Sequence, residues 1–96
     1  MSLAKKVYTS PLFARKAKKL SKREKQKLDD EIKKIFANPT IGDEKKGDLK
    51  GVRVHKFKMN KVQILLAYRK SPKELLLLTF GSHENYYRDL KNYLNY

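Results

Sequence analysis

Apolar residues recur along the chain with two periods, and the change from one to the other divides a helical front from a stranded back. A short segment, Lys6-Val7-Tyr8-Thr9, reads as a first strand. Leu12, Phe13, Ala17 and Leu20 then make a stripe at helical spacing. Ser10-Pro11 opens that helix, with serine as N-cap and proline at the first helical position, where its missing N–H costs nothing. Ser21-Lys-Arg-Glu24 is a capping-box pattern for a second helix, along which Leu28, Ile32, Ile35 and Phe36 fall at i, i+4, i+7 and i+8. Asn38-Pro39 stops it. Two helices joined so closely form an antiparallel hairpin.

Residues 39–50, with two glycines and a run of charge, read as a loop. Three strands follow, at about 51–59, 62–70 and 74–80. Asn60-Lys61 is a two-residue hairpin turn and Ser71-Pro72-Lys73 the next turn. The third strand carries the unbroken run Leu75 to Phe80, apolar enough to be buried on both faces. After Gly81-Ser82 a last helix, about 83–95, buries Tyr86, Leu90, Tyr93 and Leu94. The order is β-α-α-β-β-β-α: one α+β domain over residues 1–96, with a three- to four-stranded, mostly antiparallel sheet.

The turn at Asn60-Lys61 sets Met59 opposite Val62, Lys58 opposite Gln63 and Lys56 opposite Leu65. Phe57, Met59, Val62, Ile64, Leu66 and Tyr68 then share the core face, and Lys56, Lys58, Gln63 and Arg69 the other. That second face is a strip of cations suited to a phosphate backbone, or a half-exposed sheet showing lysines to water. The alternation has a fault: Val52 and Val54 fall on the cation parity, Arg53 and His55 on the core parity. A bulge near residues 54–55 repairs both, sending the valines inward and Arg53 and His55 beside Lys56 and Lys58. Without it, His55 is a partly buried structural histidine.

Charge narrows the partners. The 96 residues carry 24 Lys plus Arg against 10 Asp plus Glu, a formal net charge of +14, spread over both halves of the chain. Such a body attracts polyanions: nucleic acid, the ribosome, an anionic membrane or an acidic protein. There is no cysteine, which rules out disulfides, thiolate nucleophiles and cysteine-based zinc sites and fits a reducing cytoplasm. No apolar run approaches the roughly 20 residues of a membrane span, and Lys5-Lys6 has no apolar stretch behind it to make a signal peptide. A chain this short buries only about two-thirds of its unfolded surface, which leaves little room for an enclosed cofactor cavity.

One ionisable group stands out. His83 follows a strand end and a small-residue turn, in the first turn of the last helix. Histidine, with an unperturbed pKa of about 6.5, exchanges protons at cellular pH, and a helix N-terminus favours its neutral, basic form. RNA cleavage needs a base for the 2′-OH, cations for the developing phosphorane charge and an acid for the leaving 5′-oxygen. His83, the lysine/arginine strip and His55 fit these parts, and Tyr86 or Tyr87 is placed to stack on a base. The plainer reading of His83 is a polar first-turn residue beside two core tyrosines. Asp29, Asp30 and Glu31 read as surface charge, and two histidines make a poor metal site. No cofactor or metal is called for, because 2′-OH attack brings its own nucleophile.

The element order, size and charge, the stretch Gly47-Asp-Leu-Lys-Gly-Val-Arg-Val-His-Lys-Phe-Lys58 and its continuation Leu75-Leu-Leu-Leu-Thr-Phe-Gly-Ser-His-Glu-Asn-Tyr-Tyr87 resemble the RelE/ParE superfamily of bacterial type II toxins, in its ParE-like or RelE/StbE-like branch. The resemblance implies a RelE-like fold and a small cytoplasmic toxin held inactive by a cognate antitoxin encoded beside it. RelE-type members enter the ribosomal A site and cut mRNA; ParE-type members inhibit DNA gyrase. Lys56 and Lys58 match the Lys-x-Lys of RelE-like nucleases. His83 matches the catalytic histidine of the YafQ-like nucleases, Tyr87 their aromatic residue four positions on, and His55 falls one position from another histidine of that branch. RelE-like sequences usually carry an arginine where this chain has Gln63, so Arg53 or Arg69 has to replace it. The expected constellation is His83, Lys56, Lys58, Arg53 and His55 for catalysis, with Tyr87, Tyr86, Gln63 and Arg69 on the substrate. The expected function is ribosome-dependent mRNA cleavage, with gyrase inhibition or a non-catalytic basic nucleic-acid-binding domain as the alternatives.

Overall fold

A computed structural model describes residues 6–44 and 51–82. In chain order it contains β1 (Lys6–Thr9), α1 (Pro11–Lys18), α2 (Lys22–Ala37), β2 (Asp43–Glu44), β3 (Arg53–Met59), β4 (Val62–Lys70) and β5 (Glu74–Gly81). The five strands form one sheet in the order β1-β5-β4-β3-β2. β1 runs parallel to β5 and the other pairs are antiparallel. The expected strands and helices therefore form, but the sheet has five strands rather than three or four. The addition is β2, a two-residue strand inside the presumed loop, where Asp43 pairs with Val54 and Glu44 with Arg53. The C-terminal helix expected over 83–95 lies outside the described residues.

Local chemistry explains the boundaries. Ser10 accepts from the Phe13 amide at 3.0 Å as N-cap of α1, while its hydroxyl donates to the Leu78 carbonyl and its amide to that of Leu77. One residue thus caps a helix and ties its start to β5. Ser21 and Glu24 form the full capping box of α2: the Glu24 amide donates to Ser21 Oγ and the Ser21 amide to Glu24 Oε1. At the β3–β4 turn, Asn60 and Lys61 have φ of 54° and 69°, the left-handed pair that a type I′ turn requires.

Both helices bury their apolar stripes on one face of the sheet. Phe13, Leu28 and Ile35 pack there with Phe57, Leu66, Tyr68, Leu75, Leu77 and Phe80. A second buried cluster, Val52, Val54, Leu65, Ala67 and Leu78, has the opposite parity on β3 and β4. This cluster accounts for the fault in the β3 alternation, and it removes the bulge expected near residues 54–55. β3 and β4 pair without interruption from Arg53↔Tyr68 to Met59↔Val62, because the valines have apolar company where regular alternation puts them. The irregularity lies instead between β4 and β5, where Ala67 faces Thr79 but Tyr68 faces Leu77, leaving Leu78 as the extra residue. Among the described residues no helix is long and apolar enough to cross a membrane.

Candidate nucleic-acid interface

The hairpin register predicted from the turn is the one observed: Lys58 lies opposite Gln63 and Lys56 opposite Leu65. Lys56, Lys58 and Gln63 are all exposed, on the sheet face away from the helices. Leu65 in turn pairs with Gly81, so Lys56, Leu65 and Gly81 form one row across β3, β4 and β5. The strand that carries the sequence toward His83 therefore ends at the level of the two lysines. His83, Tyr86 and Tyr87 themselves lie outside the described residues.

Arg69 has the same parity but stands four residues further along β4, about 13 Å away at strand spacing. Its guanidinium lies against Gly51, whose φ of 87° and lack of a side chain leave room for it. Between Arg69 and Lys56 the face is apolar, made of Val54, Leu65 and Ala67. The strip is a compact cationic patch at the hairpin end, not a continuous ribbon.

Regular alternation turns Arg53 and His55 the other way, so the structure does not bring them beside Lys56 and Lys58. Arg53 Nη1 donates to the carbonyls of Gly42 at 2.7 Å and Thr40 at 3.3 Å, and Nη2 lies 3.6 Å from Glu44. These contacts hold the 40–44 segment, including β2, on the sheet. Tyr68 secures it from beneath: its buried hydroxyl donates to the Pro39 carbonyl at 2.7 Å and accepts from the Gly42 amide at 3.0 Å. Burial pushes the Tyr68 pKa up, against the Gly42 hydrogen bond and the nearby Arg53 charge.

His55 faces α2. Its Nε2 lies 2.7 Å from Glu31 Oε1, and its ring stacks on Phe57 with centroids 5.8 Å apart. Lys27 and Lys34 donate to Glu31 Oε2 at 2.9 and 3.1 Å. The Glu31 side chain is only 3% exposed. Burial raises its pKa, but the hydrogen bonds from His55, Lys27 and Lys34 outweigh burial and hold the carboxyl at about 2. Glu31 is thus not the surface charge that its neighbours Asp29 and Asp30 suggested. Its position was legible: it falls three residues after Leu28 and four before Ile35, on the buried face of α2. Among the described residues no three His, Asp or Glu side chains gather to hold a metal ion.

Comparison with known proteins places this architecture. Residues 7–91 match the family model of the ParE-like toxin of type II bacterial toxin–antitoxin systems. No curated protein matches the chain in sequence. Among solved structures, a chain of the intact Escherichia coli RelBE toxin–antitoxin complex is 16% identical with a TM-score of 0.65, over 82% of this chain and 96% of that one. The YoeB/ParE toxin from Agrobacterium tumefaciens is 18% identical with a TM-score of 0.66, over 81% and 98%. A free double-arginine-to-alanine mutant of the E. coli toxin RelE is 16% identical with a TM-score of 0.67, over 94% and 98%. At these identities the structures speak to the fold, which is RelE-like, while the family match spans nearly the whole sequence: the chain belongs to the ParE-like toxins of type II bacterial toxin–antitoxin systems.

Proposed function

We propose that this toxin is a ribosome-dependent mRNA endonuclease, acting in the cytoplasm and neutralised by a cognate antitoxin. The observation that carries the reading is the row Lys56–Leu65–Gly81 with Lys58 and Gln63 beside it. Two exposed ammonium groups stand at the end of the sheet where β5 finishes, two residues before His83 in sequence. In the proposed reaction the 2′-oxygen of a nucleotide attacks the adjacent phosphorus and the bond to the 5′-oxygen breaks. His83 takes the 2′-proton, Lys56 and Lys58 hold the charge that builds on the phosphoryl oxygens, and Tyr87 or Tyr86 stacks on a base. Arg53 and His55, turned to the helix side, have no part in this constellation, so the acid for the leaving 5′-oxygen is assigned to the lysine pair. The RelBE assembly, a toxin–antitoxin complex of the same fold, supports an antitoxin as the neutralising partner.

A second reading, DNA gyrase inhibition, is favoured by the ParE-like family model and by Gln63 in place of a third cation at the patch. Primer extension on a defined mRNA in a purified translation system, with and without ribosomes and beside a gyrase supercoiling assay, separates the two. Cuts that need ribosomes and vanish in His83→Ala support the nuclease. An intact message with lost supercoiling selects gyrase and makes Lys56 and Lys58 ordinary surface charge.

A further inference from the structure

The turn between α1 and α2 carries a dense run of positive charge. Residues 15–25 hold seven lysines and arginines against one acid, Glu24. Arg15, Lys18, Lys19, Lys22, Arg23 and Lys25 are all exposed, and their side chains make no hydrogen bond or ion pair with another described residue. Cations elsewhere are engaged within the fold: Lys27 and Lys34 by Glu31, Arg53 by Glu44 and two carbonyls. Glu24 offsets only one of the seven charges. Its carboxylate accepts from the Ser21 amide at 2.8 Å and from Asn60 Nδ2 at 2.6 Å. The second bond joins the α1–α2 turn to the β3–β4 turn, where Asn60 stands between Lys58 and Lys61 in sequence. Cations therefore continue around this end of the molecule, from the helix side to the Lys56/Lys58 face.

Stability does not account for the cluster. Lys22 and Arg23 are the first two residues of α2, at the positive end of its dipole, where a cation is unfavourable. Crowding like charges around one turn adds self-repulsion. The composition also selects the partner. Apart from Ser21, the exposed positions from 15 to 25 are these six cations, with no apolar residue among them. A protein interface closes around apolar or aromatic anchors and is depleted in lysine. A helix that lies on an anionic bilayer offers apolar side chains to the lipid. Bare lysines and arginines suit a phosphate backbone, which is held by charge and counterion release without regard to sequence.

We propose that the α1–α2 turn binds the phosphate backbone of folded ribosomal RNA while the opposite face of the sheet, at Lys56 and Lys58, holds the message. The proposal rests on the ribosome-dependent reading above and names the surface that makes cleavage depend on the ribosome. The turn anchors the protein and supplies no group to the reaction. Because Glu24 and Asn60 join the two turns, anchoring one sets the position of the other against its strand.

The test uses the full-length chain, purified ribosomes without message and a single-stranded RNA oligonucleotide, with affinities read across a salt series around 0.15 M. The turn variant Lys18→Gln/Lys22→Gln/Arg23→Gln is expected to weaken ribosome binding at least about tenfold and to flatten the slope of log affinity against log salt by roughly two units. Its affinity for the oligonucleotide is expected to stay within about threefold of wild type. Lys6→Gln/Lys70→Gln/Lys73→Gln removes the same charge from exposed positions at the other end of the sheet, about 26 Å away along β4. It is expected to weaken ribosome binding less than about threefold. The turn variant is expected to melt at or above the wild-type temperature, because α2 loses unfavourable cations from its first turn. Should it fail to fold, Arg15→Gln/Lys19→Gln/Lys25→Gln probes the same surface with the same expected loss. Equal losses from the two ends reduce the turn to part of a general field and overturn the proposal. Ribosome affinity within about twofold of wild type in the turn variants overturns it too, as does a wild-type chain that binds no ribosomes. A turn variant that instead loses the antitoxin or vesicles of anionic lipid, with ribosome binding intact, gives the surface to that partner and overturns it. Ribosome binding lost in the turn variants, with no mRNA cut even by wild type, removes the nuclease reading and leaves the anchor standing. Ribosome-dependent cutting with full ribosome affinity in the turn variants does the reverse.

Discussion

His55 on β3 and Glu31 on α2 meet across the helix–sheet interface at 2.7 Å, both nearly removed from solvent. An ionised carboxylate only accepts hydrogen bonds, so Nε2 is the protonated ring nitrogen and the imidazole is committed to α2. With Lys27 and Lys34 on its second oxygen, Glu31 has three donors. That saturation makes a buried carboxylate tolerable, and it fixes the register of α2 on the sheet.

The arrangement gives stability a defined pH dependence. The hydrogen bonds from His55, Lys27 and Lys34 bring the folded carboxyl to about 2, well below the ordinary glutamate value of 4.5. A depressed folded pKa contributes stability that is full above the unfolded value and lost as pH falls through the folded one. Wild-type chain is therefore expected to lose roughly 2–3 kcal/mol from this group between pH 5 and pH 2. Glu31→Gln should be less stable at pH 6 and should show a flatter profile through that window. Urea midpoints at several pH values check it; an unchanged slope in the variant separates Glu31 from acid sensitivity.

His55 is expected to matter for stability and not for chemistry. His55→Ala leaves Glu31 Oε1 without its donor and removes the stack on Phe57, which should lower the melting temperature by several degrees. At a temperature where the variant is folded, ribosome-dependent cleavage should stay within about threefold of wild type, against a loss of 100-fold or more in His83→Ala. A large drop in cleavage by well-folded His55→Ala would return His55 to the reaction.

Tyr68 and Gly42 define a second joint. Tyr68→Phe keeps the buried ring but strands the Pro39 carbonyl and the Gly42 amide, with an expected cost of about 1–3 kcal/mol. A Cβ on Gly42 would stand 2.8 Å from the Val54 carbonyl oxygen and 2.9 Å from the Tyr68 hydroxyl. Gly42→Ala should therefore destabilise the same segment. Because both act on one contact, the double variant is expected to lose less than the sum of the single losses, a coupling that a double-mutant cycle on denaturation free energies reads directly.

Short-range features were legible in the chain. The Ser10 and Ser21 caps and the Asn60-Lys61 turn are set by residues within a few positions of one another, and each appears as expected, down to Lys58 opposite Gln63. What failed needed distant partners. In sequence the misfit of Val52, Val54, Arg53 and His55 looks like a backbone defect because the company of the valines, Leu65, Ala67 and Leu78, comes from other strands. Glu31 announced its buried position by helical spacing, but nothing near it announced His55, 24 residues away. β2 was invisible because two residues carry no period, and the guanidinium that holds it belongs to Arg53.

The cationic patch makes its own prediction. Gln63 is exposed and directly across from Lys58, so an arginine there meets no steric obstacle and adds a bidentate phosphate donor beside two ammonium groups. If the patch holds the scissile phosphate, Gln63→Arg should raise ribosome-dependent cleavage about tenfold, and Lys58→Ala should lower it about 10–100-fold. Binding should follow: each cation gained or lost should change the slope of log affinity against log salt by roughly one unit for single-stranded RNA. Both substitutions sit at exposed positions with no packed partner among the described residues, so melting temperatures should barely move. A salt slope that shifts while cleavage does not would make the patch a docking surface and place the reacting phosphate elsewhere. If neither quantity moves and supercoiling is inhibited equally by all variants, the lysines play no part in function and the gyrase reading takes over.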